Sequence, residues 1–198
     1  MALNTDDISV RSDLLSLFSY NQIIGDELKS PPAFPFPERL IDIATDELSQ
    51  LEESKMEYIH CLLRVLMTVR HPKLVGMGRL LRSSPSHFSF RGYGWTMLGN
   101  NYTVLDREEL TLALSESKDF GNGDGTFYSA LGAMLRAAER SADGLPLELL
   151  PPFWTEMPHD GWRQKIAEIL LKYDMMPEDI RKECRYDRSI ATRKFVEI

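Results

Sequence analysis

The chain reads Met56-Glu57-Tyr58-Ile59-His60-Cys61-Leu62-Leu63-Arg64-Val65-Leu66 across its longest apolar runs. Apolar side chains recur there every three to four residues, as on a helix face, and the second half is apolar on nearly all sides. A helix of this kind is stable only when other elements cover it. His71-Pro72 ends the pattern, because a residue before proline disfavours the helical conformation. The stretch therefore predicts the central buried helix of a mainly α protein.

Two further helices are predicted on either side of the central one. The earlier helix has a broad apolar face opposite its acidic residues, formed by Leu40, Ile41, Ile43, Ala44, Leu48 and Leu51. The later and shorter helix is expected from Lys73 to about Arg82. Its Gly76 and Gly78 lower helix propensity, but glycine also allows a neighbouring element to pack closely.

The sequence from 87 to 105 changes character and predicts one small β-hairpin. Aromatic and β-prone residues form the runs Phe88–Phe90, Tyr93–Leu98 and Tyr102–Leu105. The Gly99-Asn100-Asn101 segment between the last two runs has the composition of a hairpin turn. The expected fold is thus a compact multi-helix domain that carries a single β element.

The rest of the chain is predicted to be helical, with two proline-rich interruptions. Helix starts are expected at Asp106, Thr126 and Asp160, whose side chains are suited to N-capping. The predicted parts, in order, are an N-terminal helical arm at 1–30, a proline-rich connector at 31–37 and a main helical domain at 38–198. The expected features of the main domain are the hairpin at 87–105, a proline break at 146–158 and a basic C-terminal helix at 177–198.

The composition suits a globular intracellular protein. The 198 residues are 43% hydrophobic and 27% charged, near the average of folded proteins, which excludes wholesale disorder. No apolar run is long enough to span a membrane, and the acidic N-terminal residues do not resemble a secretory signal. Cys61 and Cys184 are far apart, which suits a reducing compartment, and Cys61 is expected to be buried. Cytoplasm or nucleus is predicted, and secretion is disfavoured.

Charge is distributed unevenly along the chain. The 48 residues from Tyr58 to Leu105 contain no aspartate or glutamate, whereas the whole chain has a formal net charge of −7. The basic residues predicted to form a polyanion-binding surface are Arg70, Lys73, Arg79, Arg82 and Arg91, extended by Arg185 and Arg188. Such a surface would neutralise the phosphates of RNA or of an anionic membrane. The alternative is an internal ion-pair network with the chain's own acidic helices.

The segment Arg91–Leu98 resembles the RNP1 segment of RNA-recognition motifs, in which a basic residue, a glycine and strand aromatics bind exposed bases. The resemblance implies that Tyr93 and Trp95 stack on bases if they are exposed, and burial in the core is the alternative. Thr96 and Leu98 depart from the pattern. The βαββαβ order of that family is also missing, so the chain is not predicted to contain the domain.

The proline-aromatic segments suggest a second hypothesis, in which the chain is a protein–protein adaptor or antagonist. Pro31–Pro37 and Leu149–Trp154 combine proline with aromatic residues. Phe153 and Trp154 are the expected anchors, since large aromatics beside proline make good interface residues when exposed. In this hypothesis the basic stretch packs internally. The many leucines and nine methionines also leave apolar surface for a homo-oligomer.

Catalytic and cofactor signatures are weak. Asp119–Gly125 has the look of a calcium loop, but position twelve from Asp119 is Ala130 instead of a bidentate glutamate. The histidines lack ligand spacing, and no nucleotide-binding or nucleophile motif occurs. No metal and no cofactor are therefore predicted. An enzyme with a dispersed site is the third hypothesis.

The first hypothesis is a non-enzymatic structural or interaction protein that binds RNA or an anionic membrane, as small matrix or nucleocapsid-associated proteins do. A protein partner is expected in addition. The charge asymmetry favours this hypothesis over the adaptor and the enzyme, because a local basic face attracts polyanions even on an acidic protein.

Overall fold

The computed structural model describes residues 37–83, 90–101, 107–116, 126–157, 160–187 and 192–193. These ranges are mostly helical, and they contain nine α-helices and no strand. The chain divides into two compact units, Met1–Thr103 and Val104–Ile198. The predicted main domain at 38–198 is thus distributed over two units. The predicted arm at 1–30 and most of the connector at 31–37 lie outside the described residues.

The first unit is built around the predicted central helix. Helix α1 spans Pro37–Gln50, a short 3-10 helix spans Glu53–Lys55, and α2 spans Met56–Leu66. Seven of the 11 residues of α2 are buried, Cys61 among them. Helix α1 adds to the same core Leu40, Ile41, Ala44 and Leu48. The predictions of a central buried helix, of the amphipathic helix before it and of a buried Cys61 are confirmed.

Helices α3 (Lys73–Ser83) and α4 (Arg91–Asn100) pack against each other through glycine. A Cβ atom on Gly94 would lie 2.7 Å from the carbonyl oxygen of Gly78, and one on Gly78 would lie 3.0 Å from that of Gly94. The two backbones are therefore closer than any side chain at these positions would allow. The predicted helix from Lys73 to about Arg82 is confirmed. Of its two glycines, Gly78 makes the close contact, and Gly76 lies in open space.

The predicted hairpin at 87–105 is wrong, because residues 91–100 form α4. The segment alternates aromatic and small residues, which favours a strand locally. Packing overrides that preference, since the helix buries Trp95, Met97 and Leu98 while Gly94 meets α3. Asn100-Asn101 ends a helix instead of turning a hairpin. The outer parts of the predicted hairpin lie outside the described residues.

The end of α4 holds the loop that follows α2. The side-chain carbonyl of Asn101 accepts a hydrogen bond from the backbone N–H of His71 at 2.6 Å, and its amide donates to the carbonyl of Val69 at 3.3 Å. The Asn100 amide donates to the carbonyl of Met67. The two asparagines thus supply partners for backbone groups that the irregular loop leaves without helical bonds.

The second unit is helical throughout its described residues. Its elements are α5 (Arg107–Glu116), α6 (Thr126–Ala138), a 3-10 helix (Leu147–Leu149), α7 (Leu150–Glu156), α8 (Asp160–Lys172) and α9 (Glu178–Cys184). The predicted helix starts near 106, 126 and 160 are confirmed. Lys172 donates to the carbonyls of Ala138 at 3.2 Å and Glu139 at 2.5 Å. This places a cation at the C-terminal end of α6, where the helix dipole favours positive charge.

Residues 147–156, inside the predicted proline break at 146–158, are helical, which corrects that prediction. Pro151 and Pro152 lie in the first turn of α7. A proline there removes no helical hydrogen bond, because the first N–H groups of a helix have no partner within it. The prolines therefore begin a helix, and that helix turns Phe153 and Trp154 into the core.

The predicted basic helix at 177–198 is shorter than expected within the described residues. Helix α9 ends at Cys184, and a turn at Arg185-Tyr186 follows. The next residue, Asp187, is buried and forms an ion pair with Arg163 of α8 at 3.3 Å. Residues 192–193 are again helical. A buried carboxylate thus ties the turn after α9 to α8.

We expect Gly94→Ala to destabilise the protein by about 3 kcal/mol, because the new methyl group meets backbone atoms that cannot move independently. Gly76→Ala is the matched control on α3, where the methyl group meets nothing within 4 Å. The control should stabilise the protein by about 0.5–1 kcal/mol through helix propensity alone. Urea unfolding monitored by circular dichroism measures both. Equal effects of the two variants would rule out the glycine contact.

Asp174 adopts a left-handed conformation with φ of 53° at the end of α8. The N–H of Met175 donates to the carbonyl of Leu170 at 2.8 Å, which completes a Schellman motif. The left-handed position of this motif is usually occupied by glycine. Asp174→Gly should therefore stabilise the protein by about 0.5–1 kcal/mol in urea unfolding. Asp179→Gly, the same change inside α9, should destabilise it by a similar amount. A loss of stability in Asp174→Gly would contradict the assignment of Asp174 to the left-handed position at the end of α8.

Candidate functional site

The charges of the first unit are separated along the chain. Its described carboxylates all precede residue 58, and they belong to Glu38, Asp42, Asp46, Glu47, Glu52, Glu53 and Glu57. Apart from Arg39 and Lys55, its described basic residues lie between 64 and 91. The acids therefore belong to α1, the 3-10 helix and the start of α2, whereas the bases belong to the end of α2, the loop after it, α3 and α4.

Helix α3 has an outer face, which we define by Lys73, Gly76, Arg79, Leu80 and Ser83. All five are exposed, and each lies three or four residues from another member of the face. The opposite side buries Leu74, Met77 and Leu81 in the core of the unit. The outer face carries two cations and no acid. It also carries Leu80, whose side chain is 46% exposed.

Arg70 and Arg79 are the most available of the predicted basic residues. Both side chains are exposed, and neither forms an ion pair within the described residues. Arg70 lies in the loop before α3, and Arg79 lies in the second half of that helix. Their positive charges therefore remain open to an external anion.

The beginning of α3 is partly neutralised by α1. The Lys73 ammonium lies 3.7 Å from the Asp42 carboxylate, and both side chains are more than half exposed. The His71 imidazole lies 3.6 Å from the Glu38 carboxylate. The alternative of internal pairing therefore applies at this end of the helix, although exposed pairs of this kind contribute little to stability.

Arg82 and Arg91 are half-buried, unlike the three more exposed cations. The Arg82 guanidinium lies over the indole ring of Trp95, 5.0 Å from its centroid. Trp95 itself is only 2% exposed. Its ring contributes to the core and to a cation–π contact, so it offers no open face to a nucleic-acid base.

Tyr93 links α4 to α2. Its hydroxyl lies 3.2 Å from Nδ1 of His60, and the two rings are 5.7 Å apart in an edge-to-face arrangement. A hydrogen bond to Tyr93 raises the pKa of Arg64. Phe90 packs beside both rings, with its centroid 4.9 Å from that of His60 and 6.5 Å from that of Tyr93. The Tyr93 hydroxyl is therefore engaged between helices, although the side chain remains partly exposed.

The predicted site residues of the second unit have two different environments. Phe153 is 8% exposed and Trp154 is fully buried, with the Arg163 guanidinium 4.0 Å from the ring centroid of Trp154. Both aromatics are core residues of this unit. Arg185 is exposed in the turn after α9, and Arg188 lies outside the described residues.

Several exposed residues were not singled out from the sequence. Leu80, Leu112 and Tyr186 are exposed by 46%, 56% and 88%. The helical period of α3 provides the signal for Leu80, since it lies seven residues, or two turns, after Lys73 and therefore on the same face. No comparable signal identifies Tyr186, because its exposure depends on the turn that follows α9.

No cluster of three or more histidine, cysteine or acidic side chains suited to a metal ion occurs among the described residues. The loop Asp119–Gly125 lies outside them. Cys61 and Cys184 are both buried thiols, and burial raises the pKa of Cys184. Across the described ranges, no helix is long and apolar enough to cross a membrane.

Comparisons with protein-family models, with curated proteins and with solved structures found no match to this chain.

We expect His60 to make the protein less stable in mild acid. Burial lowers the pKa of His60 below its ordinary value of 6.5, and Arg64 adds to the shift while Glu57 opposes it. The unfolded chain then binds more protons than the folded chain as the pH falls below 6.5, so the free energy of unfolding decreases there. Above that pH both states are neutral and the effect disappears.

Urea unfolding of the wild type and of His60→Gln, measured between pH 5 and pH 8, tests this expectation. Glutamine can hydrogen-bond to Tyr93 but does not titrate. The variant should therefore lose less stability than the wild type on acidification. Parallel curves would show that another group carries the pH dependence.

Proposed function

We propose that the chain is a non-enzymatic binding protein that engages a phosphate-bearing polyanion through a basic surface formed by Arg70, Lys73 and Arg79. The separation of charge within the first unit carries the proposal: the acids precede residue 58, and Arg70 and Arg79 are exposed without ion pairs among the described residues. A local surface of this kind attracts anions although the whole chain has a net charge of −7. RNA and anionic membranes both offer the required phosphates.

The environment of the aromatic residues favours contacts to phosphates over contacts to bases. Trp95 is in the core and the Tyr93 hydroxyl is hydrogen-bonded to His60. Binding would then depend little on base sequence and strongly on salt. Three phosphate contacts to single-stranded RNA correspond to a slope of about −2 in the logarithm of affinity against the logarithm of salt concentration.

Arg79→Glu should weaken the binding of single-stranded RNA or of anionic vesicles about tenfold at low salt, because the change removes one favourable charge and adds a repulsive one. Asp42→Asn should strengthen binding about threefold, since it releases Lys73 from its carboxylate partner. The affinity of each variant for RNA is measured by fluorescence anisotropy with labelled RNA. Its affinity for anionic vesicles is measured by co-sedimentation.

Asp46→Asn is the matched control, because it makes the same charge change one turn along α1 without a partner on α3 among the described residues. It should change affinity less than Asp42→Asn does. Circular dichroism confirms that the variants are folded. Absence of binding to both RNA and vesicles at low salt would refute the proposal.

The second candidate function is a protein–protein adaptor, with the exposed apolar side chains of the second unit as its supporting observation. Leu112 and Tyr186 are exposed by 56% and 88%, whereas the predicted anchors Phe153 and Trp154 are buried. An adaptor surface on this unit would therefore use Leu112 or Tyr186. Homo-oligomerisation and a cytoplasmic or nuclear location stay predictions from the sequence.

A further inference from the structure

Leu80 is a large aliphatic side chain on the basic outer face of α3. It is 46% exposed and directly follows the exposed Arg79. Gly76 lies one turn before it, and a Cβ atom there would meet nothing within 4 Å. The middle of the outer face therefore has no side chain, and Lys73, Arg79 and Leu80 project around an exposed stretch of helix backbone.

An aliphatic side chain among cations distinguishes between the two polyanions. RNA phosphates gain nothing from contact with leucine, and sequence-independent RNA grooves use aromatic side chains on which bases stack. A helix on an anionic bilayer uses both features, because cations bind head groups while aliphatic side chains enter the boundary with the acyl chains. The residues of the outer face match the second pattern.

We propose that the outer face of α3 lies on the surface of an anionic lipid bilayer, with Leu80 at the level of the head groups and Arg79 and Lys73 on lipid phosphates. This inference rests on the proposed function and names its ligand. Arg70, in the loop before α3, adds a further cation at the start of the helix. The contact is peripheral, since α3 buries its other side in the core of the first unit.

Charge complementarity also separates the bilayer from a second copy of the chain. A symmetric dimer through this face would bring like charges together, because the face holds Lys73 and Arg79 and the Asp42 carboxylate beside it already pairs with Lys73. An anionic bilayer instead offers a continuous layer of opposite charge. Each cation near such a surface contributes about a fivefold gain in affinity. With three cations and one leucine, binding by a single chain would be weak and reversible.

The test uses co-sedimentation with vesicles of phosphatidylcholine alone or mixed three to one with phosphatidylserine, together with single-stranded RNA binding. Wild-type protein should bind the mixed vesicles and not the neutral ones, with affinity falling as salt rises. Leu80→Ser should weaken vesicle binding about fivefold and leave RNA binding unchanged. Arg79→Glu should weaken both. Leu80→Phe should strengthen vesicle binding by enlarging the inserted side chain.

Leu112→Ser is the matched control, because it removes an even more exposed leucine from the second unit. It should leave vesicle binding unchanged. Equal vesicle binding by wild type and Leu80→Ser would overturn the inference. Binding of RNA without binding of mixed vesicles would also overturn it while leaving the proposed function standing. Absence of binding to either ligand would remove both proposals.

Discussion

The arrangement of the first unit depends on the close approach of two backbones at Gly78 and Gly94. Neither position can carry a side chain without displacing the facing carbonyl group. The crossing fixes which side of α3 is buried, because Gly78 lies on the same side as Leu74 and Leu81. The exposure of the opposite side follows from this contact. The basic outer face of α3 is thus a consequence of helix packing as well as of the residues that compose it.

The charges of the first unit allow internal pairing and ligand binding to coexist on one helix. Asp42 pairs with Lys73 at the beginning of α3, whereas Arg79 in its second half is exposed without an ion pair among the described residues. Exposed ion pairs contribute little free energy. In the proposed function, a polyanion that presents many phosphates would compete with Asp42 for Lys73, so this exposed carboxylate would lower the affinity without abolishing binding.

The sequence predicted the elements whose patterns are local and failed where distant contacts decide. The apolar period of α2 and the amphipathic period of α3 require no knowledge of other elements. The residues of α4 favour a strand locally, and the need for Gly94 becomes visible only when Gly78 lies opposite. The candidate site divides in the same way. The exposure of Arg79 is predictable, because it follows from the helical period of α3. The covering of Trp95 by Arg82 depends on how α3 and α4 pack.

Asn101, at the end of α4, restrains the backbone around Arg70 in the loop after α2. Asn101 bonds to the carbonyl of Val69 and to the N–H of His71, so it holds the backbone on both sides of Arg70. The guanidinium is exposed, but the main chain that carries it is fixed. Beyond the translational and rotational cost of any association, binding an anion would therefore order the Arg70 side chain without the larger cost of ordering a loop. The loop is in this sense preorganised for binding.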